Sequence, residues 1–167
     1  MPDPLADWTV EATLAAGPGR VLVRARRGAE APVVLKATPP GAPWSARAAL
    51  RREARLLDIC RGEGVVDLLA VVDRRGRTAL VLAFVPGRTL ADRTAPDADA
   101  VARRLEATVD RLHRAGIAHG ALRPEHVVLD ADGLPALVGF GTARRSAATS
   151  ADEVALADLL HHLRSGA

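Results

Sequence analysis

Lys36 is the only lysine among 23 Lys and Arg residues, and it closes an apolar run, VVLK (33–36). A compact ammonium in such a place suits a phosphate or a buried carboxylate, and a guanidinium fork would not replace it freely. Glu53 supplies a carboxylate of the right kind. On a helical count Leu50 lies three residues before it, Leu57 four after and Cys60 seven after, so Glu53 falls in an apolar stripe. A carboxylate there needs a paired cation, because an isolated buried charge is costly. A second reading stays open at this point: Glu53 at the edge of the stripe, and Lys36 reaching along its stem to water. The other chemical stretch is HGALRPEHVVLD (119–130), followed by GFG at 139–141. Its histidines and acids have the layout of a site for acid–base or metal chemistry, yet Ala121 and Gly139 carry no reactive group.

The elements that must hold these residues follow from periodicity. WTVEATLAA and GRVLVRARR flank a Gly17-Pro18-Gly19 turn, and APVVLKAT makes a third strand, with Val34 and Lys36 on one face and Val33 and Leu35 on the other. WSARAALRREARLLDIC reads as a helix. VVDLLAVVD and RTALVLAFV form a hairpin around Arg74-Arg75-Gly76. After Pro86-Gly87 the pattern turns helical: Asp97 caps a helix with the stripe Val101, Leu105, Val109 and Leu112, stopped by Gly116. HVVLD and LPALVGF are short strands joined at Asp130-Ala131-Asp132-Gly133, and a last helix opens at Ser150 with a Ser150–Glu153 capping box and carries Val154, Leu159, Leu160 and Leu163.

Composition narrows the function classes. The 167 residues suffice for one domain or one small domain in two lobes, and with four aromatic residues and no Tyr the core must be aliphatic. A net charge of +3 without a basic block interleaved with aromatics argues against nucleic acid as a partner. The lone Cys60 excludes an internal disulfide and suits a reducing compartment. MPDPLADW is unlike a signal peptide, and the longest apolar run, TALVLAFV, is far too short to span a bilayer, so a soluble, cytoplasmic protein without membrane contact is expected. His113, His119, His126, His161, His162 and Cys60 show no recognised zinc-ligand spacing, so no metal site is expected of them.

Taken together, these stretches resemble a protein kinase domain of the bacterial serine/threonine type, from about Leu14 to Gly166. VVLK resembles the family's V-A-I-K strand, which implies Lys36 as the phosphate-contacting lysine and Glu53 as its helix partner. LVLAFVPGRTLAD resembles the last small-lobe strand and hinge, with Leu82 at the gate of the adenine pocket and Phe84 just beyond it. LHRAGIAHGALRPEHVVLDADGLPALVGFG resembles the catalytic loop and metal-binding strand pair, and ADEVALADLLHHL the helix after the activation segment, with Asp152 tying back to the catalytic loop. The fold implied is α+β and two-lobed: a five-stranded antiparallel sheet with one helix over residues 1–86, and a reduced, mostly helical lobe over 87–167 that stops after the Asp152 helix. A helix normally covered would then be partly bare, which invites a protein partner or self-association.

The departures from the family pattern decide the expected function. Its catalytic aspartate becomes Ala121, its metal-binding asparagine His126 and its D-F-G aspartate Gly139; the arginine after His119 becomes Gly120, and the loop lysine Arg123. In the phosphate-covering loop the middle glycine remains as Gly17, while the outer two become Ala15 and Arg20; the alanine that roofs the adenine becomes Val34. Glycine has no ligand atom, imidazole is a poor ligand for magnesium, and alanine cannot act as a base. Leu57, His119 and Phe140 match the family's apolar spine. The pattern implies a pseudokinase, with no catalytic residues, that scaffolds a partner. The alternative is an ATP-binding protein or weak atypical phosphotransferase, holding ATP without magnesium through Gly17, Val34, Lys36, Glu53, Leu82 and Phe84.

Overall fold

In a computed structural model, which describes residues 5–74, 76–92, 95 and 97–165, Pro18 and Gly19 alone separate the first two strands. Strand β1 (Thr9–Gly17) pairs antiparallel with β2 (Arg20–Arg26) up to the Gly17↔Arg20 pair. Proline presets the first turn position and Gly19, at φ +75°, takes the left-handed second one, which L side chains resist. β2 pairs with β3 (Val33–Ala37), β3 with β5 (Arg77–Ala83), and β5 with β4 (Leu68–Arg74), giving a five-stranded antiparallel sheet in the order β1-β2-β3-β5-β4. Arg74 pairs with Arg77, so the expected hairpin forms, although Arg75 in its turn lies outside the described residues.

The first-half helix, α1, spans Trp44–Cys60, as its apolar spacing predicts. Leu50, Glu53, Ala54, Leu57 and Cys60 are all buried, so the stripe does run through the glutamate. On the sheet, Val23, Ala25, Val33, Leu35 and Val81 make a buried aliphatic cluster, on which Leu5, Trp8, Val21 and Val72 pack. Helix α2 (Ala98–Arg114) has Asp97 in extended conformation at its N-cap, the carboxylate accepting from Ala100 N at 2.9 Å. Its buried face includes Val101, Leu105, Val109 and Leu112, and it ends before Gly116, at φ +70°. Helix α3 covers Ser150–Ser165.

Short strands complete the chain. β6 (Arg88–Thr89), β8 (Val127–Leu129) and β9 (Pro135–Leu137) form one sheet, and β7 (Ile117–Ala118) pairs with β10 (Arg144–Arg145). The fold class is therefore α+β. The described residues gather into two units: those up to Arg55 with Asp67–Phe84, and Leu56–Val66 with Val85 onward. Among them no helix is long and apolar enough to cross a membrane.

Three local expectations are corrected. The run VVDLLAVVD is not one strand: Val65 bridges Leu137 and Val66 N donates to Leu137 O at 3.0 Å, while β4 begins only at Leu68. Two apolar residues in a row satisfy either strand partner, so periodicity could not separate them. The α3 cap is Thr149 rather than Ser150. Thr149 Oγ1 donates to Glu153 Oε1 at 2.6 Å, and its carbonyl accepts from Glu153 N. Val154 lies on the exposed face of α3, while Leu159, Leu160 and Leu163 are buried.

Candidate functional site

The residues singled out from the sequence fall into two groups, one in each unit. In the first unit, β3 carries Lys36 and α1 carries Glu53, and Lys36 Nζ lies 2.6 Å from Glu53 Oε1 and 2.7 Å from Oε2. The side chains are 10% and 4% exposed, so the pair is desolvated and charge-assisted on both oxygens. Of the two readings left open by the sequence, the paired one holds, and neither side chain reaches water alone. Nearby, Arg51 on α1 clamps Asp73 on β4 with two bonds, and this guanidinium holds the Asp73 carboxyl below its usual range.

Of the other residues expected to face a nucleotide, Gly17, Val34 and Leu82 lie on the same sheet and Phe84 directly follows its strand β5. Val34 and Leu82 are cross-strand partners, and Lys36 pairs with Leu80. Phe84 carries the Arg24 guanidinium 5.5 Å above its ring. Gly17 is the last paired residue of β1, in a hairpin closed by only two residues. A side-chain carbon added at Gly19 would lie 3.3 Å from Ala46 Cβ, so the tip of that hairpin rests beside the first turn of α1. Pro18 has no N–H, so this tight turn has fewer free amides than an open glycine loop could aim at phosphate oxygens.

The second unit assembles the HGALRPEHVVLD stretch around one neutral histidine. His119 is fully buried and edge-on to Phe140, with ring centroids 4.6 Å apart. Its Nε2–H donates to Val138 O at 3.0 Å, and its Nδ1 accepts from Ala121 N at 3.3 Å. Burial pushes this imidazole down to about 4, so it stays uncharged at neutral pH. Asp152, in the first turn of α3 and 2% exposed, accepts from His119 N at 2.6 Å and from Gly120 N at 2.8 Å. Gly120 sits at φ +75°, and an added side-chain carbon would come within 3.0 Å of Thr142 O and Arg144 Nη1. Leu57 is buried in this unit as well.

Ala121, His126 and Gly139 are neighbours. His126 closes a 3₁₀ turn, Pro124–His126, and its Nδ1–H donates to Ala121 O at 2.7 Å. Arg123 Nη2 approaches its Nε2 at 3.4 Å. Gly139 has φ +83°, and a side-chain carbon added there would lie 2.6 Å from His126 Cδ2 and 2.7 Å from Cγ and Nε2. No carboxylate or carboxamide stands at positions 121, 126 or 139. Among the described residues no group of three or more His, Cys, Asp or Glu side chains is placed to hold a metal ion.

Two contacts around these residues were not read from the sequence. His113 Nε2 lies 3.2 Å from Asp152 Oδ2; its position four residues after Val109, beside the buried stripe of α2, was the available signal. Arg111 donates to Cys60 O at 2.8 Å and Glu63 O at 2.7 Å, capping the end of α1 from another helix, and no sequence pattern announces that. Cys60 itself is buried, and burial raises its thiol, so it is an unreactive core residue.

No family model matches the sequence. The chain is 30% identical over 99 residues to the hormonally up-regulated neu tumor-associated kinase of Mus musculus, a match covering 55% of this chain and 14% of that protein. It is 29% identical over 99 residues to CBL-interacting serine/threonine-protein kinase 9 of Arabidopsis thaliana, with 55% and 22% covered. With CBL-interacting protein kinase 16 of Oryza sativa subsp. japonica it shares 33% over 100 residues, with 56% and 22% covered. The chain thus spans less than a quarter of the length of these relatives. The matches support a kinase-like relationship, and the five-stranded antiparallel sheet and three α-helices among the described residues are compatible with part of such a fold.

Proposed function

We propose that this chain is a pseudokinase: a kinase-like protein that does not transfer phosphate and acts by binding a partner. One contrast carries the reading. The buried Lys36–Glu53 pair is complete, while position 121 holds no base and positions 126 and 139 hold no hard-oxygen ligand. Phosphoryl transfer depends on positioned metal ions and charge more than on covalent chemistry by the protein. A general base alone is worth about 10²–10⁴ in rate, and the metal clamp adds several kcal/mol of transition-state stabilisation. The partner is a protein, or a second copy of the chain, docking on the helical second unit, whose exposed Val154 supports this placement. We place its action in the cytoplasm, where the buried thiol of Cys60 stays reduced.

The test is transfer of radiolabelled phosphate from ATP, with magnesium or manganese, to the chain itself and to a generic basic protein. The expected signal equals that of a Lys36→Ala control. Metal-dependent transfer that disappears in the control sinks the reading. A second reading, ATP binding without useful catalysis, is favoured by the intact ammonium of Lys36. A thermal-shift titration with ATP, with and without magnesium, separates the two. Ligand at 100 times its Kd stabilises by about 2.7 kcal/mol, so a flat melting temperature in both conditions removes the second reading.

A further inference from the structure

Magnesium, which a kinase-like site implies, does not fit the residues present, and the misfit is more than a list of missing ligands. At Gly139 there is no atom to offer, and the space a side chain would need is taken. An added carbon would lie 2.6–2.7 Å from three atoms of the His126 ring. Carbon atoms in contact prefer about 3.5–4.0 Å, so one of the two must give way. His126 is not free to swing aside: its Nδ1–H is held by Ala121 O at 2.7 Å and its Nε2 faces Arg123 Nη2 at 3.4 Å. A ring whose two nitrogens are so engaged presents no lone pair to a cation without first losing a contact.

We infer that the His126 ring, packed over the Cα of Gly139 and tied to Ala121 O, is a steric plug that fills the divalent-cation position, so that any nucleotide bound by this chain is bound free of metal. The assignment of that position rests on the kinase-like reading above; the packing of the plug does not. The glycine and the histidine form one coupled unit: the ring needs a residue without Cβ beneath it, and the glycine is covered by the ring. Restoring a carboxylate at position 139 alone would collide with the plug rather than rebuild a ligand. The substitutions at 126 and 139 therefore work in one direction only when made as a pair.

Two readouts test this, and neither is catalytic. The first is a double-mutant cycle in melting temperature with Gly139→Ala, His126→Ala and the pair. A positive φ penalises alanine at 139 in either background, so φ strain cancels and only the collision with the ring remains in the coupling. The expected outcome is a loss from Gly139→Ala that is at least about twofold larger in the parent, where the His126 ring is present, than in the His126→Ala background. Equal losses in both backgrounds overturn the plug. The second readout needs no variant: the manganese EPR signal of MnCl₂, and of MnCl₂ with ATP, titrated with the parent chain. No loss of free-ion signal on adding protein is expected. Manganese taken up by the parent and released by His126→Ala would overturn the inference. Phosphate transfer by the parent would sink the function proposed above, whereas additivity in the cycle would sink only the plug.

Discussion

Replacing Lys36 by Met, or Glu53 by Leu, should cost far more stability than replacing both. With the nitrogen 2.6 Å from the nearer oxygen and an effective dielectric of roughly 20, the Coulomb attraction is about 6 kcal/mol. Each ion also loses several kcal/mol of hydration on burial, so the net contribution of the pair lies near zero. Removing one partner cancels the attraction and leaves the other charge in a site that is 10% or 4% exposed. The expected loss for either single variant is about 3–5 kcal/mol, which for a chain of this size lowers the melting temperature by roughly 10 °C. The Lys36→Met/Glu53→Leu pair should recover most of that loss, falling within about 2 kcal/mol of the parent. Circular-dichroism melts and urea titrations of the four proteins measure this directly. Single losses under about 1 kcal/mol, the level of a surface pair, would refute the buried ion pair. So would a double variant as unstable as the sum of the singles, which would mean that the two side chains do not act on each other.

The other expectations concern the second unit. His119 is buried and neutral, with its pKa pushed from 6.5 to about 4 by burial. The unfolded chain therefore takes up a proton between pH 6.5 and 4 while the folded chain does not, so stability falls as pH drops through that window. The loss by pH 4.5 is roughly 2–3 kcal/mol, and the urea midpoint of His119→Asn should fall less steeply between pH 7 and 4.5 than that of the parent; equal slopes contradict the assignment. Asp152→Asn puts an amide where two backbone N–H groups and His113 meet a carboxylate. One amide must then face a donor, at a cost of about 1–3 kcal/mol, and a melting temperature unchanged in this variant would show that the α3 carboxylate does not organise the loop.

Much of the architecture was legible in the sequence, for identifiable reasons. The Pro18-Gly19 turn, the Asp97 cap and the stripe from Val101 to Leu112 are local features with stereochemical causes, and each lies where its residues require. The Lys36–Glu53 pair was one of two readings that the sequence left open: a charge in an apolar stripe demands a partner, and the single lysine was a candidate for it. What escaped was non-local. Val65 and Val66 look like the start of β4, but pair with Leu137 instead. Arg111 caps a helix about 50 residues away. The identities of Ala121, His126 and Gly139 were readable, but the packing of one against another was not: the space over a glycine is filled by a side chain from another strand connection, and nothing in the spacing of the two residues states their separation.

The buried pair bears on function through its energetics. Because an ion pair in the interior is often no better than apolar residues of equal volume, stability alone does not account for an ammonium and a carboxylate at this point of the core. Among the 23 Lys and Arg residues this is the one lysine, and it supplies a compact cation where a guanidinium would present a planar fork. Two uses remain. The ammonium can fix the placement of α1 on the sheet, which a planar guanidinium would do with different geometry, or it can meet a phosphate when Glu53 shares it. Lys36→Arg separates them. If only the placement of α1 matters, Lys36→Arg costs stability in proportion to its misfit, and ATP shifts neither protein. If the ammonium also meets phosphate, the parent shows a magnesium-independent ATP shift, and the arginine variant loses that shift even where its melting temperature is restored by solution conditions.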